Sequence, residues 1–230
     1  MSKEVRISVE GTSITVSGLH LRPRDERALY VVAHGAGAGM RHPFLESLAR
    51  GLAGRGIGTL RYQFPYMEEG KRYPNPPQLL ENTVRSAVRF ASETSSPLPL
   101  LAGGKSLGGR MTSRAAASRP LPGVRGLVFL GFPLHAPGKP GVDRADHLTE
   151  ITHPMLFLQG TRDAFAQRDL IESVVEGLSS PGVLHFVEGG DHSFNVLKRS
   201  GRDPTEVLDE LIGAIADWAA DVLDNPASRD

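Results

Sequence analysis

The sequence has no cysteine. Disulfides, cysteine-ligated zinc, iron–sulfur clusters and a thiol nucleophile are therefore excluded. It also lacks an excess of either charge, with 26 basic side chains against 26 acidic ones in 230 residues. Nucleic acid and anionic membrane surfaces both require a basic excess, so neither is expected as a partner. Long hydrophobic runs are missing as well. No stretch approaches the ~20 apolar residues of a membrane span. The opening MSKEVRISVEGTSITVSGLH has no apolar core of the secretory kind, so a cytoplasmic location is the expectation.

What is present is a globular composition, 40% apolar and 23% charged. A chain of this length buries roughly 70% of its unfolded surface, enough for residues 1–230 to form one domain. Short apolar runs alternate with helix-period segments, the pattern of an α/β protein with a mostly parallel sheet. The opening differs. Val5–Val9 and Ile14–Leu19 alternate apolar with polar around Glu10-Gly11-Thr12, which predicts an antiparallel hairpin at a sheet edge. Further strands are expected at Ala28–Ala33, Thr59–Tyr62, Leu98–Ala102, Val124–Leu130, Met155–Gln159 and Val183–Val187, with five helical segments between or after them.

Two helix starts are legible in residue chemistry. Asn75 is placed to cap a helix whose first residue is Pro76, with Leu80, Val84, Ala87, Val88 and Ala91 on one face. Asp203-Pro204-Thr205-Glu206 opens the last helix with a cap, a proline and a capping-box glutamate. The tail DNPASRD is expected to fray. Two irregular stretches, Gln63–Pro77 and Gly131–Pro154, follow predicted strands, and ligands of open α/β sheets sit at strand carboxyl ends.

Gly104-Lys105-Ser106-Leu107-Gly108 is a G-x-S-x-G element between an apolar strand and a helix-compatible run. A serine on such a sharp turn is lifted above the sheet, and the flanking glycines let neighbouring backbone pass without a Cβ clash. The bland alternative is a glycine-rich turn with a solvated serine. A phosphate-binding P-loop would need a glycine five residues before Gly104, where Pro99 stands.

A serine hydroxyl needs an adjacent base. Asp163 follows the Met155–Gln159 strand and His192 follows Val183–Val187, the order serine, acid, histidine at three strand ends. Asp143, Asp146 and Asp191 compete as the acid, though Asp191 would point away from its neighbour's ring. His185 lies inside a strand and reads as structural. His34-Gly35-Ala36 after the Ala28–Ala33 strand suits a turn that aims the Ala36 N–H at the nucleophile, beside the Leu107 N–H. A dinucleotide fingerprint fails there by register, since Met40 or His42 stands at its third glycine. The run Asp143-Arg144-Ala145-Asp146-His147 reads as an exposed charged loop rather than a metal site. Serine chemistry of this kind calls for neither metal nor cofactor.

These residues resemble the α/β-hydrolase superfamily, in particular its small dienelactone-hydrolase-like branch. That branch also includes the testis-expressed and histone-acetyltransferase-complex subunit type domains. The resemblance rests on HGAGAGM and HPF within 34–44, RYQFPYMEEGKR at 61–72, GGKSLGGR at 103–110, QGTRDAF at 159–165 and GGDHSF at 189–194. It implies a doubly wound, mostly parallel sheet of the eight-stranded type. It also implies Ser106, Asp163 and His192 as a triad, and Ala36 and Leu107 as the oxyanion-hole donors. Serine stands where some dienelactone hydrolases carry cysteine, and some branch members act as assembly subunits. The alternative to a serine esterase or thioesterase is therefore a catalytically idle binding or assembly module with the same fold.

No insertion is long enough for a large cap domain. The expected site is open, suited to small-molecule esters, with His34, Phe64, Tyr66 and Phe132 as substrate contacts and Tyr73 and Leu134 at its border. Lys71 and Arg72 either meet an anionic substrate group or face solvent. Lys105 either modulates the serine's surroundings or pairs with a nearby acid. Oligomeric state is not readable.

Overall fold

In the computed structural model, which describes residues 2–224, eight strands form one sheet. The chain runs β1 (Lys3–Ser8), β2 (Thr15–Leu21), β3 (Ala28–Ala33), α1 (Pro43–Ala53), β4 (Ile57–Tyr62), α2 (Pro65–Glu68) and α3 (Pro77–Ser95). It continues through β5 (Leu100–Lys105), α4 (Leu107–Ser118), β6 (Val124–Leu130), β7 (Met155–Gly160), α5 (Arg168–Glu176), β8 (Gly182–Val187) and α6 (Pro204–Asp224). Spatial order is β1-β2-β4-β3-β5-β6-β7-β8. The N-terminal hairpin pairs antiparallel and joins β4 antiparallel, whereas β4 through β8 are parallel neighbours.

Period-2 side-chain direction divides each central strand between two cores. Leu29, Val31 and Ala33 of β3 face the layer of α3, α4 and α5, together with Leu60, Phe129 and Phe157. Tyr30 and Val32 face α1 and α6, packing with Leu48, Leu52, Leu211 and Ile215. Helices thus cover both sheet faces, and the strand carboxyl ends are left to the loops.

Local chemistry explains the helix starts. Asp203 Oδ1 accepts from the N–H groups of Thr205 (2.7 Å) and Glu206 (3.0 Å), while Glu206 Oε2 accepts from the Asp203 N–H. This is the expected reciprocal cap of α6. The α3 start is one residue later than expected. Pro76, not Asn75, is the cap, with φ −51° and ψ 145°. Pro77 pushes its predecessor out of helical conformation, so the helix cannot begin at Pro76. The Gln63–Pro77 stretch contains the single turn α2, and Gly131–Pro154 carries a short 3₁₀ turn at Asp146–Glu150. The latter loop is not simply exposed, because Ala145 and Leu148 are buried. Asp224 ends α6; the rest of the tail expected to fray lies outside the described residues.

Candidate active site

Ser106 stands between β5 and α4 with φ 50° and ψ −113°, a left-handed conformation rare for a residue with a side chain. Surroundings hold it there. Its N–H donates to Leu130 O at 3.0 Å, and its carbonyl accepts from Arg110 N. The neighbouring glycines are steric necessities. A Cβ at Gly104 would sit 2.3 Å from Ala33 O, and one at Gly108 would sit 2.5 Å from the same atom. The turn can therefore press against β3 only without those side chains.

Asp163 follows β7 and His192 follows β8, and the loops bring both to Ser106. Asp163 is almost fully buried, accepting on Oδ1 from Phe165 N (2.7 Å) and on Oδ2 from Gln159 Nε2 (2.5 Å). His192 Nδ1 lies 2.7 Å from Asp163 Oδ2 and Nε2 lies 2.8 Å from Ser106 Oγ. A carboxylate only accepts, so Nδ1 carries the proton and Nε2 presents a lone pair to the serine hydroxyl. Phe165 lies against the imidazole with ring centroids 4.2 Å apart.

Asp191 turns away from the ring as expected, its Oδ1 accepting from Ser193 N and Asn195 N. Lys105 also braces this loop. Its ammonium donates to the main-chain carbonyl of His192 and lies 5.3 Å from the Phe194 ring centroid. Burial pulls the Lys105 pKa down to about 8, against the opposing pull of Asp163 and Asp191.

Ser106, Lys105 and His192 open on a cleft of about 410 Å³ whose other walls include Ala36, Gly37, His42, Phe44, Leu45 and Phe165. Ala36 thus faces the same space as the serine, and Leu107 follows it as the first residue of α4, where helix N–H groups have no internal partner.

The four expected substrate contacts are elsewhere. His34, Phe64, Tyr66 and Phe132 are each at most 1% exposed and belong beneath the cleft. His34 is a bracket: Nδ1–H donates to Gly35 O (2.8 Å), and Nε2 accepts from Phe64 N (3.1 Å). Burial pushes its pKa down to about 4, which keeps the ring neutral for both bonds. The Tyr66 hydroxyl accepts from Gly37 N at 3.4 Å. Phe132 packs with Phe129 and Phe157, and its N–H donates to Gln159 Oε1. Leu134 is buried too, whereas Tyr73 is 77% exposed. Lys71 pairs with Glu69 and Arg72 lies near the Tyr73 ring, neither on the cleft. Phe64, Tyr66 and Phe132 thus complete the core of this sheet, whereas Phe165, after β7, reaches its mouth.

Two contributors escaped the sequence reading. Gln159 joins Asp163 to the Phe132 backbone, and Phe165 covers the imidazole. The only signal was their place inside QGTRDAF, beside the aspartate.

A second serine–histidine contact has a different construction. Ser113 Oγ lies 2.7 Å from His147 Nε2, but the same oxygen donates to Arg110 O and Ser113 is fully buried. Burial, then Arg114 and Arg110, push the His147 pKa down to about 4. Among the described residues no carboxylate pairs with this ring. It lacks the acid, the access and the lone pair that His192 presents.

Solved structures share this architecture. A dienelactone hydrolase from Anabaena variabilis superposes with TM-score 0.75 at 19% identity, over 95% of this chain and 96% of that one. An esterase domain from Rhodothermus marinus gives 0.72 at 17% identity, over 95% and 98%. A lidless α/β serine hydrolase from Xanthomonas campestris gives 0.71 at 18% identity, over 94% of each. At these identities the likeness is one of fold. An α/β-hydrolase domain family model matches residues 26–220, and the chain belongs to that family.

Proposed function

We propose that the protein is a serine hydrolase of carboxylic ester or thioester bonds in small substrates. Ser106 is the nucleophile, His192 the base and then acid, and Asp163 the carboxylate that fixes the imidazole tautomer. The observation that carries this reading is the unbroken chain from Ser106 Oγ through His192 to Asp163, at 2.8 and 2.7 Å.

Ser106 Oγ attacks the carbonyl carbon as its proton passes to His192 Nε2. Negative charge develops on the carbonyl oxygen, where the Ala36 and Leu107 N–H groups receive it. Each such donor stabilises the transition state by about 3 kcal/mol. Collapse expels the alcohol or thiol, which takes the proton from Nε2. Water, deprotonated by the same nitrogen, then releases the acid from the acyl-serine. Asp163 stays ionised beside the imidazolium throughout.

A fluorophosphonate probe tests the assignment. The wild-type chain is expected to gain one phosphonyl adduct on Ser106, and Ser106→Ala to gain none. Folded wild-type protein that stays unlabelled would favour the idle binding module.

A further inference from the structure

On the α1 face of β4 lies a charge with no counter-charge in contact. Arg61 is 2% exposed. Its Nη1 donates to Met40 O (3.2 Å) and its Nη2 to Ser2 Oγ (3.3 Å), while Nε has no partner. Among the described residues no carboxylate forms an ion pair with it. Guanidinium does not give up its proton in proteins, so the charge remains despite the cost of burial.

Arg61 forms part of the wall of a cleft of about 550 Å³, shared with Glu4, Leu19, Arg41, Glu46 and Arg50. Its carboxylates are already engaged, Glu4 by Arg41 and Glu46 by Arg50. Both pairs are exposed, of the kind that contributes little and rearranges readily. Of the charges that act on Arg61, Glu46 leads and favours the ionised form, while Arg41 and Arg50 follow and oppose it. With three guanidinium groups against two carboxylates on its walls the cleft carries a net positive charge, and the buried guanidinium is the one outside any ion pair among the described residues, Arg61.

We propose that this cleft is a second ligand site, binding a phosphate-class oxyanion on Arg61 with Arg41 and Arg50 closing over it. Three guanidinium groups match a group with three or more acceptor oxygens better than a carboxylate, which offers two. The site shares no wall residue with the serine cleft. The two nevertheless meet one loop. Gly35 to Ala38 line the serine cleft, and Arg61 donates to the Met40 carbonyl of the same segment. An anion on Arg61 would therefore sit one hydrogen bond from Met40, four residues after Ala36.

The test is thermal unfolding of the full chain in chloride, acetate, inorganic phosphate and pyrophosphate at matched ionic strength. Phosphate or pyrophosphate is expected to raise the midpoint saturably, by roughly 3 °C at tenfold saturation. Arg61→Gln should abolish the rise. Should Arg61→Gln fail to fold, Arg41→Gln and Arg50→Gln decide: each is expected to weaken phosphate binding at least about fivefold. No saturable rise in wild type overturns the proposal, as does a rise undiminished in the variants. An equal rise with acetate overturns the phosphate preference and leaves a general carboxylate site instead. No readout depends on hydrolysis, so failure here and failure of the serine mechanism are separable.

Discussion

Gln159 Nε2 and His192 Nδ1 converge on one oxygen, Asp163 Oδ2, at 2.5 and 2.7 Å. The glutamine's other end, Oε1, accepts from Phe132 N at 2.9 Å. A buried side chain on β7 thus ties the carboxylate to the β6 loop, leaving the aspartate one orientation in which to meet the imidazole.

Gln159→Leu is therefore expected to reduce kcat on a p-nitrophenyl ester by about ten- to a hundredfold, the cost of a misplaced catalytic group. The change also leaves the buried Phe132 N–H unsatisfied, which costs about 1–3 kcal/mol. Steady-state kinetics and urea unfolding of the same variant check both effects.

Lys105 acts on the opposite side of the histidine. Lys105→Met removes the donor to the His192 carbonyl and is expected to lower kcat about tenfold with KM little changed. In wild type the ammonium loses its charge as pH rises through about 8, weakening that bond, so kcat should fall over the same range. The pH profile of the methionine variant should lack this alkaline limb.

His34 makes stability depend on pH. Its folded pKa, about 4, lies below the usual 6.5, so the unfolded chain binds the proton more readily. The contribution is complete above about pH 6.5 and is lost as pH falls toward 4, to a total of about 3 kcal/mol. Urea unfolding at pH 7 and pH 4.5 should show this loss in wild type. His34→Gln, which keeps an acceptor for Phe64 N but cannot titrate, should show a smaller loss.

Local residue chemistry is readable in the sequence, whereas what packs above a residue is not. The meeting of Ser106, Asp163 and His192 was foreseeable because each sits in a turn signal at the end of an apolar strand; their catalytic roles belong to the proposal. The edge hairpin was legible from alternation, and the α6 cap from Asp203 and Glu206. Phe64, Tyr66 and Phe132 were misplaced because an aromatic residue after a strand looks the same whether it faces a cleft or the core. His34 was misassigned for a related reason: its ring completes two backbone hydrogen bonds, and no local pattern announces them. Asn75 lost its capping position to Pro76 through the conformational demand of Pro77.

The walls of the serine cleft, Phe44, Leu45, Phe165 and His42, enclose about 410 Å³, toward the small end for a ligand pocket. Among p-nitrophenyl esters, kcat/KM should favour acetate and butyrate. A preference for acyl chains longer than about eight carbons would mean that the apolar walls extend beyond this cleft.

The most direct trial of the account is turnover of p-nitrophenyl acetate by wild type and Ser106→Ala, both shown folded by circular dichroism. Loss of the serine oxygen is expected to lower kcat by at least about 10⁴-fold, since His192 and Asp163 then have no hydroxyl to activate. Undiminished turnover by the folded alanine variant would contradict it.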